Sequence, residues 1–271
     1  MYVCDKYFSM KTQISEHIDL THPELYRLVI ETHPEQFSFY IYPLTGNSEG
    51  FFYRIPKRNQ SDGFACFTDF FFENSFLTLS FNQVQILNYT PVFTSVPAIL
   101  FDEKDKNEYM KFFFVENTGK ILSHTIQKAE MILLHEMPEE TYRFFQRSFG
   151  SVHVFHHTAP LIASFYDKGD FVDGNRMIIN RKKQGLDILC FSHDRLLMCN
   201  HFQCSDVNEA FYYVLFIWKQ LKFNQQKDYI SIAEENSDLS DLLKQYISRV
   251  NLVEFASEVP LEIAALRRCE I

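Results

Sequence analysis

Glycine is scarce in this 271-residue chain, at 8 residues, and phosphate-cradling loops and tight dinucleotide turns are usually built from it. An ordinary nucleotide loop is therefore not expected. Positive charge is also short: 26 Lys and Arg against 35 Asp and Glu give a formal net charge of -9. That balance counts against a sequence-independent nucleic-acid binder, whose affinity comes from many cation–phosphate contacts. The six cysteines (Cys4, Cys66, Cys190, Cys199, Cys204, Cys269) include no CxxC pair, which removes the close-spaced zinc or redox signature. Several lie within apolar runs, where a thiol behaves as a small hydrophobe, and they read as the reduced cysteines of a cytosolic protein. Long apolar runs are missing too. The longest, Phe211 to Trp218, is well short of the ~20 residues that cross a bilayer. The first residues, MYVCDKYFSMKTQ, lack a charged-then-apolar signal pattern, so the expected location is cytoplasmic with no membrane span.

What the chain does have is 46% hydrophobic residues and 29 phenylalanines, enough apolar mass for two cores of ordinary size. Its best-patterned stretch runs from Asn175 to Lys222. Three apolar runs (Met177–Asn180, Leu186–Phe191, Leu196–Cys199) are split by the polar turns RKKQG and SHD, which predicts a three-stranded meander. A helix follows, with Val207, Ala210, Phe211, Val214, Leu215, Trp218 and Leu221 at the spacing of one buried face. A similar unit begins at Tyr26, where YRLVIET, FSFYIYP and FFYRIP alternate with HPEQ and TGNSEG, before a helix at about 64–73.

After each meander the elements continue in the same order. In the first half, QVQILNY, VFTSV, an acidic-started helix in DEKDKNEYMKFFF and the strand GKILSHTIQ form an inserted block, followed by MILLHEM, PEETYRFFQRSF, SVHVFHH and TAPLIASFYDK. In the second, DYISIAE, SDLSDLLKQYIS and NLVEF are followed by a short tail helix around Pro260 to Arg267. The expected fold is α/β: a tandem duplication, each copy a five-stranded mixed sheet with helices on both faces. The expected domains are 1–170, with an inserted subdomain at about 77–128, and 171–271.

This doubled order resembles the superfamily of actin, sugar kinases and heat-shock ATPases, built from two ribonuclease-H-like domains. The placement of the insertion resembles bacterial cell-division actin homologues and type IV pilus assembly proteins. The run RLLMCNHFQCSDVNEAFYYVLFIWKQL, with Asn200, Phe202, Tyr212 and Tyr213, is similar to an uncharacterised bacterial family, domain of unknown function family 3822. The resemblance implies an actin-like ATPase fold and, in the ATP-using relatives, an Asp and glycines at the first turn of each meander. Here those turns are Glu31, Thr32, His33, Pro34, Glu35, Gln36 and Asn180, Arg181, Lys182, Lys183, Gln184, Gly185. The first has neither Asp nor Gly, and Pro34 has no N–H to donate. The second keeps one glycine. The late turn that contacts adenine in relatives is Ala233, Glu234, Glu235, again without glycine. The expectation is a degenerate nucleotide site, with no catalytic residue, no cofactor and no metal, in a scaffold that works through a protein partner. A divergent ATPase or phosphotransferase is the alternative, and homo-oligomerisation is left open.

The sharpest local feature is the basic turn Arg181, Lys182 and Lys183, the candidate anion or nucleic-acid contact; the plainer reading is a solvated hairpin tip. His153 and His157 stand about 13 Å apart along a strand, too far for one ion. His135 and Glu136 lack the second histidine of a zinc-hydrolase pattern. Cys199 and Cys204 beside His201 suggest a Cys/His nucleophile or, more plainly, packing. Glu31, Glu35, Asp187 and Asp194 form no diagnostic carboxylate pair. The runs FFFEN and KFFFVEN read as core, or as a protein contact where exposed.

Overall fold

The computed structural model describes residues 14, 18–33, 36–45, 50–55, 63–114, 118–167, 174–183, 185–253 and 259–268. The expected features at 1–13, at the Pro34 and Glu35 turn, in most of TGNSEG, RNQSDG and the GDFVDGN junction, and at the end of NLVEF lie outside the described residues. So does Gln184.

The first meander forms as its alternating aromatic and β-branched residues dictate, with β1 (Tyr26–His33), β2 (Gln36–Pro43) and β3 (Phe51–Ile55). Helix α1 (Gly63–Glu73) follows, then β4 (Gln83–Asn88). The inserted block supplies β5 (Phe93–Pro97), α2 (Lys106–Phe113) and β6 (Lys120–Ile126). Strand β7 (Met131–Met137) pairs with β5 and β6, so MILLHEM belongs with the inserted block, and QVQILN, expected in that block, is instead the fourth strand of the first meander's sheet. The series resumes with α3 (Glu139–Phe149), β8 (His153–His156) and α4 (Ala159–Asp167). The second meander is β9 (Asn175–Lys182), β10 (Gly185–Ser192) and β11 (Arg195–Gln203), followed by α5 (Val207–Gln220), β12 (Tyr229–Ala233), α6 (Asp238–Leu243), β13 (Val250–Leu252) and α7 (Leu261–Arg268).

Two five-stranded sheets result, in the orders β3-β2-β1-β4-β8 and β11-β10-β9-β12-β13, together with a three-stranded sheet in the order β5-β7-β6. In both five-stranded sheets the meander pairs are antiparallel and the two later strands are parallel. The copies therefore correspond strand for strand: β1 with β9, β4 with β12, β8 with β13. Both first hairpins close around two residues, since His33 pairs with Gln36 and Lys182 with Gly185. The chain divides into two compact units. One lies within Met1–Val92, Lys106–His124 and Leu134–His157; the other within Phe93–Asp105, Thr125–Leu133 and Thr158–Ile271.

Each unit has its own interior. In the first, Phe39, Phe67 and Phe145 are fully buried, and Phe70 and Phe71 of α1 pack with them. In the second, Ala210, Val214, Ile217 and Trp218 of α5 pack over Met177, Ile179, Ile188 and Ile230. Each of the buried Phe, Val, Ile and Met side chains among them contributes about 1.5–3 kcal/mol. Val207, Phe211, Leu215 and Leu221 only flank this core, while Ile217 belongs to it. Asp206 starts α5 by accepting from the N–H groups of Asn208 (2.7 Å) and Glu209 (3.0 Å). Of the phenylalanine runs, Phe70 and Phe71 are core, whereas Phe72, Phe112 and Phe113 are exposed. Among the described residues no helix is long and apolar enough to cross a membrane.

Candidate functional site

In open α/β sheets the carboxyl ends of the parallel strands are where ligands are held. In the second unit this corner carries the basic turn. Strand β9 ends in Asn180, Arg181 and Lys182, and each of the three meets a carboxylate that the chain itself supplies. Arg181 Nη1 lies 3.1 Å from Glu234 Oε2, just past the end of β12. Lys182 Nζ lies 2.5 Å from Glu262 Oε1, in the first turn of α7. Asn180 Nδ2 donates to Glu262 Oε2 at 3.3 Å and to Asp187 Oδ2 at 3.5 Å. The second oxygen of Asp187 faces His201 Nδ1 at 2.9 Å.

These contacts are largely withdrawn from water: the side chains of Glu262 and Glu234 are 0% and 1% exposed, those of Lys182 and Arg181 27% and 15%. Removing a carboxylate from water costs several kcal/mol unless a cation and further donors offset it. Glu234 has both kinds of partner. Besides Arg181, it accepts from the backbone N–H groups of Leu239 (3.3 Å) and Ser240 (2.9 Å) at the start of α6, where the helix dipole favours a negative charge. Lys183 is exposed. Gly185 is explained by a close approach: a Cβ there would stand 2.6 Å from His201 Cε1 and 2.9 Å from the Phe202 carbonyl oxygen.

The first unit closes the equivalent corner with hydroxyl, amide and carboxyl side chains. Glu31 and Ser38 stand opposite each other as Asn180 and Asp187 do, and Ser38 Oγ donates to Glu31 Oε2 at 2.7 Å. Thr32 pairs with Asn88 across β1 and β4, the register position matching Arg181 and Glu234, and Thr32 Oγ1 donates to Asn88 Oδ1 at 3.1 Å. Asn88 Nδ2 in turn donates to the Glu136 carbonyl at 2.8 Å and lies 2.9 Å from His135 Nδ1.

Around Asn88 three histidines are wholly buried: His135, His156 and His157. His156 Nε2 lies 3.0 Å from the Thr90 carbonyl oxygen, and His157 stacks on Tyr89 with ring centroids 4.0 Å apart. Burial, with His124 and His157 nearby, pushes His135 down to about 3, and burial pushes His124 down to about 4. His135 and His124 are therefore uncharged near neutral pH. Among the described residues no group of three or more His, Cys, Asp or Glu is placed to hold a metal ion.

The remaining sequence candidates are dispersed. His153 and Asp194 are exposed, and Glu35 lies outside the described residues. The Cys199 thiol is pushed up to about 12 by burial, and Cys204 is raised by the same cause, so neither offers a thiolate near neutral pH. The structure adds Glu262 and Glu234 as partners of the basic turn. Their separations from it, 80 and 53 residues, leave no sequence signal, and the buried role of His135 is equally hidden within a run of apolar residues.

Two matching five-stranded mixed sheets, each a meander followed by parallel crossovers, define duplicated ribonuclease-H-like domains in an actin-like ATPase fold. A solved protein of Bacteroides thetaiotaomicron, described as having an actin-like ATPase fold and unknown function, is similar at a TM-score of 0.85 and 27% identity, covering 93% of this chain and 99% of that one. The PilM-PilN type IV pilus biogenesis complex is similar at a TM-score of 0.56 and 12% identity, covering 90% and 98%. No match was found among curated proteins. Residues 15–250 match the family described as protein of unknown function (DUF3822), and the chain belongs to that family.

Proposed function

We propose that this protein is a non-catalytic member of the actin-like fold, a cytoplasmic scaffold that acts by holding a protein partner and uses no cofactor. The reading is carried by the corner at the end of β9, where Glu262 and Glu234 neutralise Lys182 and Arg181. The cations that would hold a phosphate already have anions, and these are covalently part of the chain. A bound nucleotide would have to displace both carboxylates. Further support comes from the first unit, where Thr32 and Asn88 close the matching position. One protein of like fold, PilM-PilN, is described as a type IV pilus biogenesis complex, an instance of this fold within a protein assembly. The two copies divide, in this reading, at 170/171, and the insertion does not follow the expected bounds of about 77–128, since β4 is a strand of the first copy's own sheet and β7 pairs with the inserted β5 and β6.

Thermal unfolding with ATP, ADP and Mg²⁺ tests it. Ligand that binds only the native state must raise the melting temperature, by an amount set by RT ln(1 + [L]/Kd). The expected result is no nucleotide-dependent rise; a clear, saturable one would overturn the proposal. The alternative, a divergent ATPase or phosphotransferase holding phosphate through Arg181, Lys182 and Lys183, draws on the exposure of Lys183. It requires turnover that disappears when all three become alanine.

A further inference from the structure

Helix α5 has a second face. Asn208, Glu209, Tyr212, Phe216, Lys219 and Gln220 are exposed along the side opposite the core. Tyr212 and Phe216 are 62% and 48% exposed, and their rings stack with centroids 5.9 Å apart at 21°. Neighbouring Tyr213 turns inward onto Phe202, at 4.8 Å, so the tyrosine pair of this motif splits between the core and the surface. Two adjacent aromatic rings on a helix surface are large, stiff and apolar, the composition of an interface centre.

The order of side chains along this stripe is what identifies the occupant. Glu209 and Lys219 stand five residues either side of Val214, and Tyr212 and Phe216 two residues either side. Turned end for end, the stripe places an acid where it had a base and an aromatic where it had an aromatic. A surface complementary to its own reverse fits a two-fold axis, across which residue i meets j and j meets i. The acid is also held in place, because Glu209 Oε2 accepts from the Ser205 N–H at 3.1 Å. A foreign apolar helix would cover the rings but gives no reason for the mirrored charges.

We propose that α5 is a homodimer interface in which two copies of this chain lie with their α5 helices antiparallel. Tyr212 and Phe216 of one copy stack against Phe216 and Tyr212 of the other. Glu209 of each faces Lys219 of the other, the two charge pairs bracketing four rings along about 15 Å of helix. Exposed ion pairs add little affinity, so the rings hold the copies together and the charges set the direction.

Sedimentation velocity of the full chain across the micromolar range tests this. A reversible monomer–dimer equilibrium is expected, with the dissociation constant weakened about tenfold or more by Tyr212→Glu or Phe216→Glu. Glu209→Lys and Lys219→Glu should each weaken it, and the double exchange should restore it. Circular dichroism and melting temperature are followed for every variant, because Glu209 also ties down the helix start; if Glu209→Lys unfolds that turn, Lys219→Glu against Lys219→Gln carries the charge test. A chain that stays monomeric, including one whose α5 instead binds a different protein, overturns the proposal. So does a dimer indifferent to the aromatic variants, or one in which folded double-exchange protein fails to regain affinity. None of these outcomes depends on whether nucleotide binds.

Discussion

Acidification should destabilise the first unit through its buried histidines, and the size of the effect follows from their burial. His135 and His124 have folded values of about 3 and about 4 against an ordinary 6.5, desolvation being the main cause for both. Each is neutral in the native protein at every pH above its folded value. The unfolded chain binds a proton at each once the pH falls below 6.5, so it holds more protons than the native state, and stability must fall as pH falls. At 1.36 kcal/mol per pKa unit, pH 5 lies 1.5 units below the unfolded value, and each histidine costs about 2 kcal/mol there, about 4 kcal/mol together. The decline begins near pH 6.5 and continues until the folded values are reached. Against a usual domain stability of about 5–15 kcal/mol, that is a large share. Urea unfolding at pH 7.5, 6 and 5 measures it, with His135→Gln as the comparison, since glutamine keeps an acceptor for Asn88 and does not titrate. The variant should lose about half of the pH-dependent destabilisation. A stability flat from pH 7.5 to 5, or a slope unchanged in His135→Gln, would refute the reasoning.

Two further perturbations address the second unit. Glu262→Ala leaves Lys182 and Asn180 facing each other without their shared carboxylate, and should cost about 3–5 kcal/mol in urea unfolding, whereas replacing Lys182 and Glu262 together by methionine and leucine should recover most of it. Gly185→Ala drives a methyl into the His201 ring and the Phe202 carbonyl and should cost about 1–3 kcal/mol, read as a shift of denaturant midpoint with unchanged slope.

The meanders are legible in the sequence because their information is local. DILCF is an apolar run bounded by polar turns, and β10 is the buried interior strand such a run predicts. The same holds for α5, whose Asp206 cap and 3, 4 spacing lie within a few residues of each other. MILLH is buried too, as β7, but its apolar run does not say which sheet it joins, and it lies in the three-stranded one while β4 fills the position expected for it. The basic turn is legible only as composition. Whether Arg181 and Lys182 meet water or carboxylates depends on the packing of α6 and α7, and no local pattern encodes which acid of 35 arrives. Phenylalanine is ambiguous for a related reason: Phe71 and Phe72 are neighbours in one run, but about 100° of helix rotation buries the first and exposes the second.

Glu234 is gripped from two directions, by a guanidinium and by the opening amides of a helix. A descendant that lost Glu262 would still find Arg181 engaged, and one that lost Glu234 would find Lys182 engaged and α6 uncapped. Reopening this corner to an outside anion therefore takes at least two coordinated changes, each harmful alone. Selection acting one step at a time meets a ratchet here, and lineages that carry both carboxylates are held to whatever role does not need the corner open.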